Sequence, residues 1–289
     1  MTQSAGIING REIAAQIRAQ IAAEVAALRE KNIAPSLAVI LVGDDPASHI
    51  YVTNKINACK EAGIESVELR MEAHASENEI RHAIKNLNFN PSIHGILLQL
   101  PLPAHLAAVQ ESLVQQIAPE KDVDGLTVTN AGKLFLGMEG GLVPCTPQGS
   151  MRLIKAVRQD LTGLNAVVIG RSNLFGKPMA QLLLAENCTV TTAHSRTKDL
   201  PALCRSADIL IAAVGRPEMV KGDWVKPGAI IIDVGINRQK NGKLCGDVDF
   251  EEAAKIAGHI SPVPGGVGPM TIACLLQNTL AAARLQWRS

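Results

Sequence analysis

Tyr51 and Lys55 stand four positions apart in the stretch "SHIYVTNK". On a helix that spacing puts both side chains on one face. Tyr51 is also the only tyrosine in the chain. A lysine drawn partly out of water loses basicity and can then exchange protons near neutral pH. The plainer reading is a helix face with a solvated lysine. Gln99, in "GILLQLPLP", would stand at the carboxyl end of a strand, where open parallel sheets bind ligands. It reads equally as a cap on strand polar groups. Asp122 and Asp124 in "KDVDGL" precede a glycine, and Asp124 fits either a ligand-binding carboxylate or a simple turn. The loop "SPVPGGVGPMT" (261–271) could shape a pocket or only turn a corner. Cys145 in "PCTP" has a reactive side chain, but the position suits a buried small residue.

A second set of residues points to a dinucleotide. "VVIGRSNLFGKPMAQLLL" reads as an apolar strand, a glycine turn and a helix, and helix N-termini and turn amides attract phosphate. The spacing is Gly170-x-Ser172-x-x-x-Gly176, which is not G-x-G-x-x-G. Ser172 takes the place of the glycine that lets backbone approach pyrophosphate. Its hydroxyl could bond phosphate instead. The turn alone also fits any glycine-ended strand of an α/β domain. The next strand sharpens the reading. A fold specific for NAD usually carries Asp or Glu at its tip. Here the strand ends "AHSRT", and no acidic residue lies between Asn187 and Lys198. Ser195, Arg196 and Arg171 offer a hydroxyl and guanidinium groups suited to a 2′-phosphate. The expected cofactor is therefore NADP, the alternative being that these are solvated loop residues.

The elements that must position these groups follow from periodicity. Ile13, Ile17, Ile21, Val25 and Leu28 recur at helical spacing over residues 11–30. "SLAVILVG" (36–43) is a continuous apolar run and reads as a buried strand. Pro46 opens a helix that runs to Gly63. "ESVELRM" alternates as a strand, Ser76-x-x-Glu79 opens a capped helix over 76–88, and residues 93–103 hold a third strand. The strand–helix alternation predicts a parallel sheet with right-handed crossovers. Residues 119–150 break the rhythm, which places a boundary near Pro147–Gly149. A second alternation follows, with strands at 165–170, 188–194, 208–214 and 228–235, and helices from about 176 and near 198–206. The closing stretch "PMTIACLLQNTLAAARLQ" is a long helix that could return to the first domain.

Composition narrows the function classes. Hydrophobic residues make up 47% and aromatics 2%, so the core is aliphatic. A formal charge of +1 supplies no field for nucleic acid. The six cysteines form no C-x-x-C pair and the seven histidines no H-E-x-x-H, which argues against a metal site or a disulfide framework. Residues 1–30 lack a signal-peptide pattern, and no apolar run approaches the ~20 residues of a membrane span. The expected location is cytoplasmic, with no membrane partner.

Taken together, "YVTNK", "GILLQLPLP", "KDVDGL", "PCTPQG", "GRSNLFGKP", "VGIN" and "PVPGGVGPMT" resemble the bifunctional methylenetetrahydrofolate dehydrogenase/cyclohydrolase family, in order and spacing, from about residue 7 to 285. The resemblance implies two α/β domains flanking a cleft, the second Rossmann-like, usually as a homodimer. Residues 1–148 would form the folate-binding catalytic domain, with the helix 270–289 packing back on it, and 149–269 the NADP domain. It implies oxidation of 5,10-methylenetetrahydrofolate by NADP, then hydrolysis of the methenyl product to 10-formyltetrahydrofolate. Lys55 would be the catalytic lysine, tuned by Gln99, with Tyr51 packing on the folate and Asp124 binding the pterin. Gly170, Arg171, Ser172, Ser195 and Ile236 would contact NADP. Pro262, Val263, Pro264, Gly265 and Gly266 would line the folate site.

The chain departs from many relatives at Phe175, beside the helix start, and at Gln148, where a basic residue is common. Tyr-x-x-x-Lys is also the reactive pair of short-chain dehydrogenases, which the chain resembles at that point only. There the pair follows the glycine turn, whereas here it precedes Gly170. A shikimate-dehydrogenase-like oxidoreductase, a non-catalytic NADP-binding module, and an enzyme keeping only the dehydrogenase stay open as alternatives.

Overall fold

A computed structural model describes residues 4–239 and 242–288. The chain opens with β1 (Gly6–Ile7), α1 (Gly10–Arg29), β2 (Ser36–Val42), α2 (Pro46–Glu61), β3 (Glu65–Met71), α3 (Glu77–Phe89) and β4 (Gly95–Leu98). Three helices follow, α4 (Gln110–Val114), α5 (Val128–Leu136) and α6 (Cys145–Val157). The second alternation is β5 (Asn165–Ile169), α7 (Gly176–Ala185), β6 (Thr189–Ala193), α8 (Leu200–Arg205), β7 (Ile209–Ala212) and β8 (Ile230–Asp233). It closes with β9 (Asn237–Arg238), β10 (Leu244–Cys245), α9 (Phe250–Ala253), β11 (His259–Ile260) and α10 (Val267–Arg288).

The chain divides into two compact units. The lysine unit holds Ala15–Cys145 and the chain from Ile272 onward. Its sheet runs β3-β2-β4, all parallel. Every residue of β2 is buried, as a central parallel strand demands, while the edge strand β3 has no fully buried residue. Asp45 caps α2 by accepting from the Ser48 amide, and Pro46 stands in the first turn, where its missing N–H costs nothing. Ser76 and Glu79 form the expected reciprocal capping box on α3. The core between sheet and helices is aliphatic, with Ile40, Ile80, Ile84, Ile96 and Leu113 all withdrawn from water.

The glycine-turn unit holds the chain up to Ala14 with Thr146–Thr271. Its sheet runs β1-β11-β8-β7-β5-β6, again all parallel. β6 lies on one side of β5 and β7 on the other, so the carboxyl end of β5 is the topological switch point at which such sheets bind ligands. The fold is thus two α/β domains, the second Rossmann-like.

Two differences from the sequence reading bear on the domain boundary. The chain's start joins the glycine-turn sheet, where β1 pairs with β11, although residues 1–148 read as one domain with Lys55. And "PCTPQGS", read as a break, begins the helix α6. Pro147 sits within its first turn, where no intrahelical hydrogen bond is lost. Gly149 is required there, since a Cβ would stand 2.8 Å from that of Met270.

Candidate active site

In the lysine unit, α2 presents both Tyr51 and Lys55. The tyrosine is 43% exposed and the lysine half-buried. Lys55 Nζ donates to Gln99 Oε1 at 2.9 Å. Gln99 directly follows β4, and its own Nε2 donates to the Leu100 carbonyl at 2.6 Å. That second bond fixes which end of the amide faces the lysine. Burial lowers the Lys55 pKa, opposed by nearby Asp124 and then by Cys145 and Cys59. Burial likewise raises the Asp124 carboxyl, opposed by Lys55 and reinforced by Asp122. Lys55, Gln99 and Asp124 are therefore one assembly, in which an amine and a carboxyl are each pushed toward their neutral forms. The thiols around them are chemically quiet. Burial pushes Cys59 up to about 12 and Cys145 well above the ordinary thiol value, so neither is a ready nucleophile.

Asp124 stands on a loop held from both sides. Asp122 is buried and accepts from Thr127 N at 2.7 Å and Asn130 Nδ2 at 2.9 Å. Asn278, buried on α10, donates to the carbonyls of Val123 and Val143, each at 2.8 Å. Gly125 turns the chain at φ 70°, with Leu142 O only 2.7 Å from where a Cβ would be. The sequence reading missed Asn130 and Asn278. Their one signal was an asparagine within a helix, a polar group that must find partners when buried.

In the glycine-turn unit, Gly170 ends β5 at φ 133°, and a Cβ there would come within 2.5 Å of the Ala213 carbonyl. A Cβ on Gly176 would lie 2.2 Å from the Gly170 carbonyl. The turn is therefore closed to side chains at both glycines. Ser172 Oγ accepts from Phe175 N at 3.2 Å and Gly176 N at 3.4 Å, capping the start of α7. Its acceptor face is engaged by the protein, and what it can offer a phosphate is its O–H. Arg171 follows the tip of β5, and Ser195 and Arg196 that of β6, all three exposed. Ile236, just beyond β8, is 51% exposed. Pro262–Gly266 also belong to this unit. They form a tight turn with a cis Val263–Pro264 bond, in which Gly266 N donates to the Pro262 carbonyl at 2.8 Å. Among the described residues, no group of three His, Cys, Asp or Glu could hold a metal, and no helix is long and apolar enough to cross a membrane.

Known proteins share both halves of this arrangement. Residues 8–124 match the profile "Tetrahydrofolate dehydrogenase/cyclohydrolase, catalytic domain", and residues 144–287 match its NAD(P)-binding domain. "Bifunctional protein FolD 2" of Rhizobium meliloti (strain 1021) is 58% identical, over 96% of this chain and 95% of that protein. The crystal structure of the bifunctional FolD methylenetetrahydrofolate dehydrogenase/cyclohydrolase from Campylobacter jejuni superposes with a TM-score of 0.95 at 46% identity, covering 98% of this chain and 99% of that one. The Trypanosoma brucei enzyme, solved with NADP and an inhibitor, gives 0.93 at 36%, covering 99% of this chain and all of that one. With the lysine assembly on one half and the closed glycine turn on the other, the chain belongs to the tetrahydrofolate dehydrogenase/cyclohydrolase family.

Proposed function

We propose that this chain performs both reactions of its family, with the residue roles that follow. In the first, 5,10-methylenetetrahydrofolate gives up a hydride and becomes the 5,10-methenyl cation. Bound NADP supplies the hydride acceptor. In the second, water adds to the cation, a proton is lost, and the ring opens to 10-formyltetrahydrofolate. The observation that carries the reading is the desolvated Lys55 amine, held at 2.9 Å by an amide whose other end is tied down.

An amine pushed toward its neutral form can take the proton of the attacking water and return it to the nitrogen released on ring opening. Gln99 keeps Nζ on one heading. Asp124, when ionised, accepts the paired N–H donors of a pterin edge. The exposed ring of Tyr51 supplies a flat apolar surface for the substrate, and Pro262, Val263, Pro264, Gly265 and Gly266 line the folate. The nucleotide fits the second unit. Gly170 and Gly176 leave backbone where pyrophosphate needs a close approach, and Arg171, Ser195 and Arg196 suit a 2′-phosphate. The absence of an acidic residue at the tip of β6 favours NADP over NAD. A homodimer, which the resemblance implies, and a cytoplasmic location, expected from the sequence pattern, complete the reading.

The deciding experiment supplies methylenetetrahydrofolate with NADP or with NAD, and follows reduced nicotinamide and the methenyl species together. NADPH formed without build-up of methenyl establishes both activities. Methenyl accumulating to the extent of NADPH would remove the hydrolase, equal turnover with NAD would remove the cofactor preference, and no turnover would end the reading.

A further inference from the structure

We infer that Asp247 is a positioning residue for the dinucleotide site, its carboxylate fixing the two loops that leave β7 and β8. The inference rests on the reading that the glycine-turn unit binds NADP.

Asp247 is fully buried, yet four donors converge on it. Its Oδ2 accepts from Val214 N at 2.6 Å and Gly215 N at 3.0 Å, and its Oδ1 from Arg216 N at 2.8 Å and Asn237 Nδ2 at 2.9 Å. Three of these are consecutive backbone amides in the loop after β7. Gly215 and Arg216 are exposed, so water could satisfy their amides. A withdrawn carboxylate that gathers them instead dictates the loop's shape. A second carboxylate supports the first. Asp233, the last residue of β8, accepts from Asp247 N at 2.9 Å, Val248 N at 2.8 Å and Gly235 N at 3.0 Å.

Ile236 is thereby held between two tied neighbours, Gly235 on Asp233 and Asn237 on Asp247. Both carboxylates exclude side chains around them. A Cβ on Gly235 would stand 2.3 Å from Asp247 Oδ1, and one on Gly246 only 1.8 Å from Asp233 Oδ2. The loop after β7 also borders the glycine turn, since the Ala213 carbonyl is what closes Gly170 to a side chain. Asp247 thus fixes both the exposed position of Ile236 and the backbone beside Gly170, without itself being exposed.

The test is Asp247→Asn, which keeps the volume but turns an NH2 toward amide donors. Three quantities are read: NADP affinity by titration calorimetry, the dehydrogenase KM for NADP against kcat, and hydrolysis of the methenyl substrate with no nucleotide present. We expect the NADP Kd and KM to rise about tenfold or more, as for loss of a charge-assisted hydrogen bond, with kcat less affected. Nucleotide-free hydrolysis should stay within about twofold of the parent. Asn237→Ala removes one donor at a less buried position and should raise the Kd about threefold. An unchanged Kd in folded Asp247→Asn, or hydrolysis falling in step with NADP affinity, overturns the proposal. Should Asp247→Asn fail to fold, an unchanged Kd in Asn237→Ala overturns it. A parent protein that does not bind NADP at all would sink the dinucleotide reading instead.

Discussion

Around Lys55 the candidate groups are side chains taken out of water, whereas around Gly170 they are backbone amides and carbonyls bared by the lack of side chains. The first region depends on charge in a place where charge is costly. The second depends on empty volume, with several glycines where a Cβ would strike backbone. The contrast teaches that similar-looking substitutions act differently in the two regions. A change of charge that preserves shape should damage the lysine unit most, and one added methyl should damage the glycine turn most.

The strongest way to break that contrast is Lys55→Met. Hydrolysis should fall at least ~100-fold, the usual weight of a general base, while NADP binds as before. Measurable hydrolysis at the parent rate would show that another group moves the proton. Next is Gly176→Ala, whose methyl meets the Gly170 carbonyl. NADP affinity should drop more than about tenfold, with nucleotide-free hydrolysis retained. If calorimetry shows normal NADP binding, the turn is not the phosphate site.

Gln99→Glu sharpens the charge side. Burial now depresses the lysine pKa, and a carboxylate 2.9 Å away would favour the ammonium form. The pKa should rise by about 1–3 units. On the proposed mechanism the neutral amine is the active form, so the acidic limb of the hydrolysis pH profile should move to higher pH by the same amount. A limb that stays put would mean that Lys55 does not set it. The smallest effect is expected for Arg171→Ala, an exposed contact. It should cut the preference for NADP over NAD by roughly threefold to tenfold. An unaltered ratio of the two kcat/KM values would move the 2′-phosphate contact elsewhere.

Much of both regions was legible in the sequence, for reasons that differ between them. β2 was readable because a strand buried on both faces is a plain apolar run, and β3 because an edge strand alternates. The α3 cap was readable because Ser76 and Glu79 carry the whole device in four residues. The pairing of Lys55 with Gln99 was implied by the family resemblance, not by the pattern of elements, and its geometry depends on an amide tied to Leu100. β1 and β11 were missed because two-residue strands have no period to detect. The clamps on the two loops were missed because their partners lie far apart in sequence, Asn278 with Val123 and Asp247 with Val214. A buried aspartate in "CGDVDF" looks no different, as a letter, from a solvated one.

The pairing of β1 with β11 bears on the order in which the molecule can be finished. The strands around β2 come from a short early stretch, 36–98, and can associate soon after they are made. The edge at β1 must wait for His259 and Ile260, and the loop bearing Asp124 waits for Asn278. A nascent chain released at residue 250 would already contain Lys55, Gln99 and the whole glycine turn. It would lack the sheet edge and the asparagine that set its working loops, so competence should arrive late in translation, with the emergence of α10.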